Sequence, residues 1–263
     1  MKIQKSFLEV ILMLSKRIIA ALDIKDNRVV KGVNFKNLKD AGDPIEKARE
    51  YEKNGIDEIV FLDITATNEK RATLKELAKE IGENIFIPFT VGGGIKSTKD
   101  IVEIIKSGAD KVFLNSAAVN NPNVIKEASD LLGSANLVIA IDAKKIDGDY
   151  FVFIDGGKIK TDLKAVDWAK KCEDLGAGEI LLTSMNTDGV QTGYDLELIR
   201  IISSVVNIPV IASGGAGEVQ HFVDAFEAGA DAALAASIFH YGKFTPKGLK
   251  KELIKRGIEI RNS

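Results

Sequence analysis

The chain is poor in the residues that most often carry metal or redox chemistry: its 263 residues include one cysteine, Cys172, and two histidines, His221 and His240. A lone cysteine excludes an intrachain disulfide and a cysteine zinc cluster, and it points to a reducing, cytoplasmic setting. Two isolated histidines argue against a histidine metal site or a Ser/His/Asp triad, so both read as structural or surface residues. No metal or cofactor is indicated. Charge of one sign is also missing, with 36 basic against 38 acidic residues and a net charge of -2. That balance gives no general attraction to nucleic acid or to an anionic membrane, so any anion site must be local. No apolar run approaches the roughly 20 residues of a membrane span.

What is present is a long alternation of short apolar runs with amphipathic stretches. The runs RIIAALD, EIVFLDIT, IPFTVGG, KVFLNS, LVIAID, EILLTS, IPVIASGG and AALAAS supply eight candidate strands. Continuous apolar runs are the signature of parallel strands buried on both faces. Segments between them, such as PIEKAREYEKNG and TKDIVEIIKSG, carry helical periodicity and end in glycine. Eight βα units with no G-x-G-x-x-G turn after the first strand favour a closed (β/α)8 TIM barrel over an open doubly wound sheet. The length and the 45% hydrophobic content suit one such domain, expected over residues 14–263. Residues 1–13 read as an N-terminal extension, too briefly apolar for a span and lacking a cleavage site. Met13 offers an alternative start, and the extension is expected to be dispensable.

The chain repeats itself. IPFTVGGGI at Ile87 returns as IPVIASGGAG at Ile208, and GADKVFLNS at Gly108 returns as GADAALAAS at Gly229, the same 121-residue step each time. RIIAALDIKD, with Asp23, is echoed by LVIAIDAKK, with Asp142. A period this long implies two similar half-barrels rather than a solenoid, so a site on one half should face its counterpart on the other. Two connections exceed the usual length, both following strands and so both on the catalytic rim of such a barrel. The first, roughly Lys25 to Asp43, reads as a loop rich in Lys, Asn and Gly. The second, Lys144 to Thr161, contains DGDYFVFIDGGK and reads as a β-hairpin inserted after the fifth strand.

Asp23 and Asp142 end the first and fifth strands, which sets them on opposite sides of the rim, pointing inward as a candidate acid and base. An ordinary aspartate titrates near 3.9, so the acid of the pair needs burial or a neighbouring charge to keep its proton near neutrality. The turns Gly92–Ile95 and Ser213–Gly217 each precede a helix, where backbone N–H groups can cradle phosphate. Asn115 with Ser116, and Ala236 with Ser237, follow the next strand in each half and complete two equivalent anion sites. The geometry calls for one substrate with a phosphate at each end. A tight turn is the plain alternative for either glycine cluster alone, and for the Asp188-Gly189 pair.

The ordered runs RIIAALDIKDNRVVKGVNF, GDP, FLDITA, FTVGGGI, GADKV, NSAAV, AIDAK, GAGEILLTS, DG, GYD, IASGGAG and GADAALAAS, spanning Leu14 to Arg261, resemble the cyclase subunit of imidazole glycerol phosphate synthase, a histidine-biosynthesis family. The resemblance implies that phosphoribulosyl-formimino aminoimidazole carboxamide ribotide and ammonia give imidazole glycerol phosphate and aminoimidazole carboxamide ribotide. Carried over to this chain, it implies Asp23 and Asp142 as the catalytic pair. It also implies substrate or phosphate contacts at Lys31, Asp63, Gly94, Asn115, Ser116, Thr161, Asp188, Gly189, Gly214, Gly215, Ala236 and Ser237. A glutaminase subunit is the implied partner, forming a heterodimer at the N-terminal face of the barrel. Arg17, Glu58, Lys111 and Glu179 begin four strands on that face. Alone they would read as strand-end salt bridges; the resemblance implies an ammonia gate.

The chain departs from the family pattern at Ala21, where cysteine is usual, at Phe113, where a small serine is usual, and at Asp155-Gly156-Gly157 in the hairpin. If Phe113 points inward its ring narrows the ammonia passage; if outward it is ordinary packing. The rival reading within the pathway is the sister isomerase, which shares the half-barrel repeat and two aspartates. FLDITATNEKR and VQTGYD favour the cyclase. A barrel that only binds a phosphorylated metabolite or a partner protein is the third reading, and Asp23, Asp142 and Lys31 together argue against it.

Overall fold

The computed structural model describes residues 15–33, 36–64 and 71–261. The N-terminal extension and the side chain of Lys31 lie outside the described residues. Eight parallel strands close on themselves: β1 (Arg17–Lys25), β4 (Glu58–Asp63), β5 (Phe89–Gly92), β6 (Lys111–Leu114), β7 (Leu137–Ile146), β10 (Glu179–Ser184), β11 (Val210–Ser213) and β12 (Ala232–Ala235). The circle is completed by β12 pairing β1 and by β7 pairing β10. This is the (β/α)8 barrel, with each of the eight apolar runs providing one wall strand.

Successive residues of a strand face opposite sides, so the barrel sorts its own sequence by parity. Ile18, Ala20, Leu22 and Ile24 of β1 belong to the large core between sheet and helices, whereas Ile19 faces the lumen. The lumen cluster is Ile19, Val60, Phe113, Val138, Ala140, Leu181, Ile211, Ala232 and Leu234, with Ala21 and Leu62 packed against it. Helices α1 (Pro44–Lys53), α2 (Arg71–Asn84), α3 (Thr98–Lys106), α4 (Ser116–Asn120), α5 (Asn123–Leu132), α6 (Ala165–Asp174), α7 (Leu196–Ser203), α8 (Val219–Glu227), α9 (Ser237–His240) and α10 (Pro246–Lys255) cover the outside. Local chemistry sets their ends. Asp43 caps α1 by accepting from Ile45 and Glu46 N–H, followed by Pro44 in the first turn.

Both histidines are structural. His221 Nδ1 accepts from the N–H groups of Gly217 and Glu218 at 3.1 and 3.2 Å at the start of α8, and His240 Nδ1 lies 3.2 Å from the Tyr51 hydroxyl. Cys172 is fully buried in α6, where desolvation raises its thiol pKa. Among the described residues no helix is long and apolar enough to cross a membrane.

The duplication persists in backbone detail. Gly93 and Gly94, and their counterparts Gly214 and Gly215, all have positive φ. Asp110 accepts from Phe89 N–H at 2.9 Å, and Asp231 accepts from Val210 N–H at 3.1 Å. The first long connection differs from its reading as a loop: it forms β2 (Arg28–Val33) and β3 (Lys36–Gly42), antiparallel to each other and continuing from β1. The matching insertion is β8 (Asp149–Ile154) and β9 (Ile159–Lys164), continuing from β7. Each hairpin turns on two left-handed residues, Asp26-Asn27 and Asp147-Gly148. Such tight turns match the natural twist of the strands they join.

Candidate functional site

At the C-terminal rim, strand parity points Asp23 and Asp142 into the lumen, each two residues beyond an inward apolar or small side chain on its strand. Asn115, following β6, donates from Nδ2 to Asp142 Oδ2 at 2.8 Å. Burial pushes the Asp142 carboxyl up to about 6, the negative charge of Asp188 adds to the rise, and the Asn115 hydrogen bond opposes it. A carboxyl that titrates there can hold or release a proton close to neutrality, as an acid–base group must. Among the described residues Asn115 Oδ1 is buried without a hydrogen-bond partner, an acceptor available to a donor on a bound molecule.

Two glycine turns, the candidate anion cradles, lie at the same rim as these carboxylates. In one, Gly93 and Gly94 turn left-handed after β5, and Asn115-Ser116 opens α4. In the other, Gly214 and Gly215 turn after β11, and Ala236-Ser237 opens α9. The backbone of Asn115 (φ -122°, ψ -91°) is nearly repeated at Ala236 (φ -122°, ψ -71°), so the two halves present the same unusual bend. Gly215 must be glycine, since a Cβ there would run into the carbonyl of Gly193. Gly193 N–H donates to Gly215 O at 2.9 Å, which clamps the connection carrying Asp188 and Gly189 onto the glycine turn.

Each cradle serine is held by a left-handed residue that the sequence reading had not identified as a contact. Asp155 N–H donates to Ser116 Oγ at 2.9 Å, and Gln191 Nε2 donates to Ser237 Oγ at 2.9 Å. Asp155 and Gln191 each have φ +55°, outside the range most side chains adopt. A hydroxyl that accepts such a bond keeps its own hydrogen to donate to an anion. The signal in sequence was faint, because nothing marks a glutamine as a left-handed residue.

Other expected residues are less central. Thr161 spends its hydroxyl within the hairpin, donating to Val152 O at 2.8 Å and accepting from Leu163 N–H at 3.2 Å. Asp63 ends β4, pairs in register with Ile24, and sets its backbone against the first glycine turn, where a Cβ on Gly93 would run into the Asp63 carbonyl. Lys31 has its backbone in β2.

The opposite rim is closed by charge. Arg17 reaches Glu58 and Glu179 at 3.0 Å each, and Lys111 reaches the same two carboxylates at 3.1 Å each. The result is a ring of alternating sign, with Thr90 Oγ1 also donating to Glu58 at 2.8 Å. Between this ring and the carboxylates the lumen is apolar, and Phe113 points into it.

The sequence matches the family described as Histidine biosynthesis protein over residues 17–245. It is similar to imidazole glycerol phosphate synthase subunit HisF of Petrotoga mobilis, 65% identical over 251 residues that cover 95% of this chain and 100% of the relative. The protein of that name from Thermococcus onnurineus is 64% identical, and that from Pyrococcus furiosus 60%, each alignment covering 95% of this chain and 99% of the relative.

Proposed function

Because the chain belongs to the family of imidazole glycerol phosphate synthase subunit HisF, we propose that its barrel mouth binds a doubly phosphorylated ribulosyl substrate between Asp23 and Asp142. The activity is that of the cyclase subunit of histidine biosynthesis, a lyase-type reaction, and the chain works as a subunit of a complex with a glutaminase. The substrate is phosphoribulosyl-formimino aminoimidazole carboxamide ribotide. One phosphate sits on Gly94, Asn115 and Ser116, and the other on Gly189, Gly214, Gly215, Ala236 and Ser237.

One observation carries this reading: two anion cradles of matching backbone stand at one rim, with an inward carboxylate of raised pKa between them. Asp142 then serves as the acid, since it keeps a share of its proton near neutrality, and Asp23 as the base. Ammonia arrives from the glutaminase at the N-terminal face, passes the ring of Arg17, Glu58, Lys111 and Glu179, and crosses the apolar lumen. An interior of that kind admits neutral ammonia and opposes ammonium, because an unpaired ion is costly to desolvate.

The test uses the purified chain with the ribulosyl substrate and ammonium chloride at alkaline pH, with products identified by mass. Imidazole glycerol phosphate and aminoimidazole carboxamide ribotide are expected together. One rearranged product would indicate the isomerase instead, and no turnover by folded protein would leave only a binding barrel.

A further inference from the structure

Phe113 is the largest of the apolar side chains that face the lumen. Its position along β6 is informative, because the residues of like parity are Lys111 below it and Asn115 above it. Lys111 belongs to the charged ring, and Asn115 holds Asp142. At about 3.3 Å of rise per residue, the Phe113 Cα stands roughly 7 Å from each neighbour of like parity, midway between ring and carboxylate.

The ring has a fitted recess. Gly92 pairs directly with Phe113 across β5 and β6, and Phe113 is followed in the wall by Val138 of β7. A Cβ built on Gly92 would fall inside the van der Waals envelope of Phe113 Cδ1, Cε1 and Cζ. The phenyl edge therefore occupies the volume that a side chain on the neighbouring strand would take, lying over the backbone of Gly92. Gly92 does not have positive φ, so local backbone conformation does not demand glycine there; the neighbouring ring does.

We propose that Phe113 sets the bore of the internal ammonia passage, with Gly92 as the recess that keeps its ring against the wall. This rests on the reading that ammonia crosses the lumen from the charged ring to the carboxylates. A ring seated over Gly92 narrows the passage, and full width returns only when that ring moves or is removed. A larger ring at this position cannot be accommodated in the recess and projects towards the axis.

The test compares Phe113→Ser, Phe113→Leu and Phe113→Trp with the unaltered chain. Each is assayed with glutamine in complex with the glutaminase subunit, and with ammonium chloride alone, which reaches the open mouth from solvent. The ratio of glutamine-dependent to ammonium-dependent turnover is the readout. It should rise in the order Trp, Phe, Leu, Ser, by about tenfold from Phe to Ser if the ring clears the bore in roughly a tenth of molecules. Ammonium-dependent turnover should stay constant across the series, reporting that the fold and the mouth are intact. The Leu variant retains an apolar side chain in the cluster, so the Phe-to-Leu comparison decides the matter if Ser or Trp disturbs folding. A flat ratio in chains that use both nitrogen sources overturns the proposal and leaves the cyclase reading standing. Absence of product from the unaltered chain with ammonium chloride overturns the cyclase reading itself, and the proposal with it.

Discussion

Replacing Asp142 with asparagine should make the protein more stable as it makes it inactive. The native carboxyl titrates near 6 against an ordinary value of 3.8, chiefly because it is buried. Between those two values the unfolded chain has released its proton while the native one still holds it. The native state thus binds more protons, and stability must fall as pH rises through that window. Above pH 6 the accumulated cost is about 3 kcal/mol. An amide carries no charge to desolvate, and its oxygen can still accept from Asn115 Nδ2. Asp142→Asn should therefore match the unaltered protein at pH 4 and exceed it at pH 8 by up to about 3 kcal/mol. That corresponds to a rise in unfolding temperature of roughly 6–12 °C for a chain of this size. Thermal unfolding of both proteins at intervals from pH 4 to 8 measures the difference. Turnover with ammonium chloride should fall by about 10² to 10⁴, the usual contribution of a positioned acid or base. A stability difference that does not change with pH, or a variant less stable at pH 8, would refute the argument that Asp142 carries a desolvated charge.

Two other perturbations separate structure from chemistry. Glu58→Gln removes the carboxylate that meets Arg17 and Lys111, whose side chain is only 3% exposed, and leaves two cations sharing Glu179. Breaking a buried pair in this way should cost about 3 kcal/mol, read from urea unfolding; a loss below about 1 kcal/mol would mean that water screens the ring. Gln191→Ala removes the donor to Ser237 Oγ, and losing about 1 kcal/mol of phosphate orientation should raise KM roughly fivefold with kcat nearly unchanged. An unaltered KM would show that Gln191 does not position that hydroxyl.

The eight strands were legible because parallel strands buried on both faces write themselves as unbroken apolar runs. The first hairpin was not, since KDNRVVKGVNF has little apolar alternation and turns on Asp26-Asn27 rather than on a glycine pair. Its partner was readable because Asp147-Gly148 is a strong turn signal flanked by DYFVF. Had the repeat been extended past Asp23 and Asp142, the second hairpin would have predicted the first. The direction of Phe113 was likewise implicit: with Lys111 facing the lumen, parity sends residue 113 the same way. What parity cannot give is the match between neighbouring strands, and the recess at Gly92 emerges only when register pairs it with Phe113.

Duplication explains why two matching turns were visible from sequence, and at one position the repeat fails. Asn115 and Ala236 occupy the same bend, each just after the strand neighbouring an inward aspartate: β6 beside β7 for Asp142, and β12 beside β1 for Asp23. One half thus supplies a side-chain amide that donates to its aspartate, and the other supplies a methyl group that donates nothing. Burial raises the proton affinity of Asp142, the field of Asp188 adds to the rise, and the Asn115 bond opposes it. The asparagine does not raise the Asp142 pKa: its bond favours the charged carboxylate, so the rise to about 6 comes from burial and from Asp188 in spite of it.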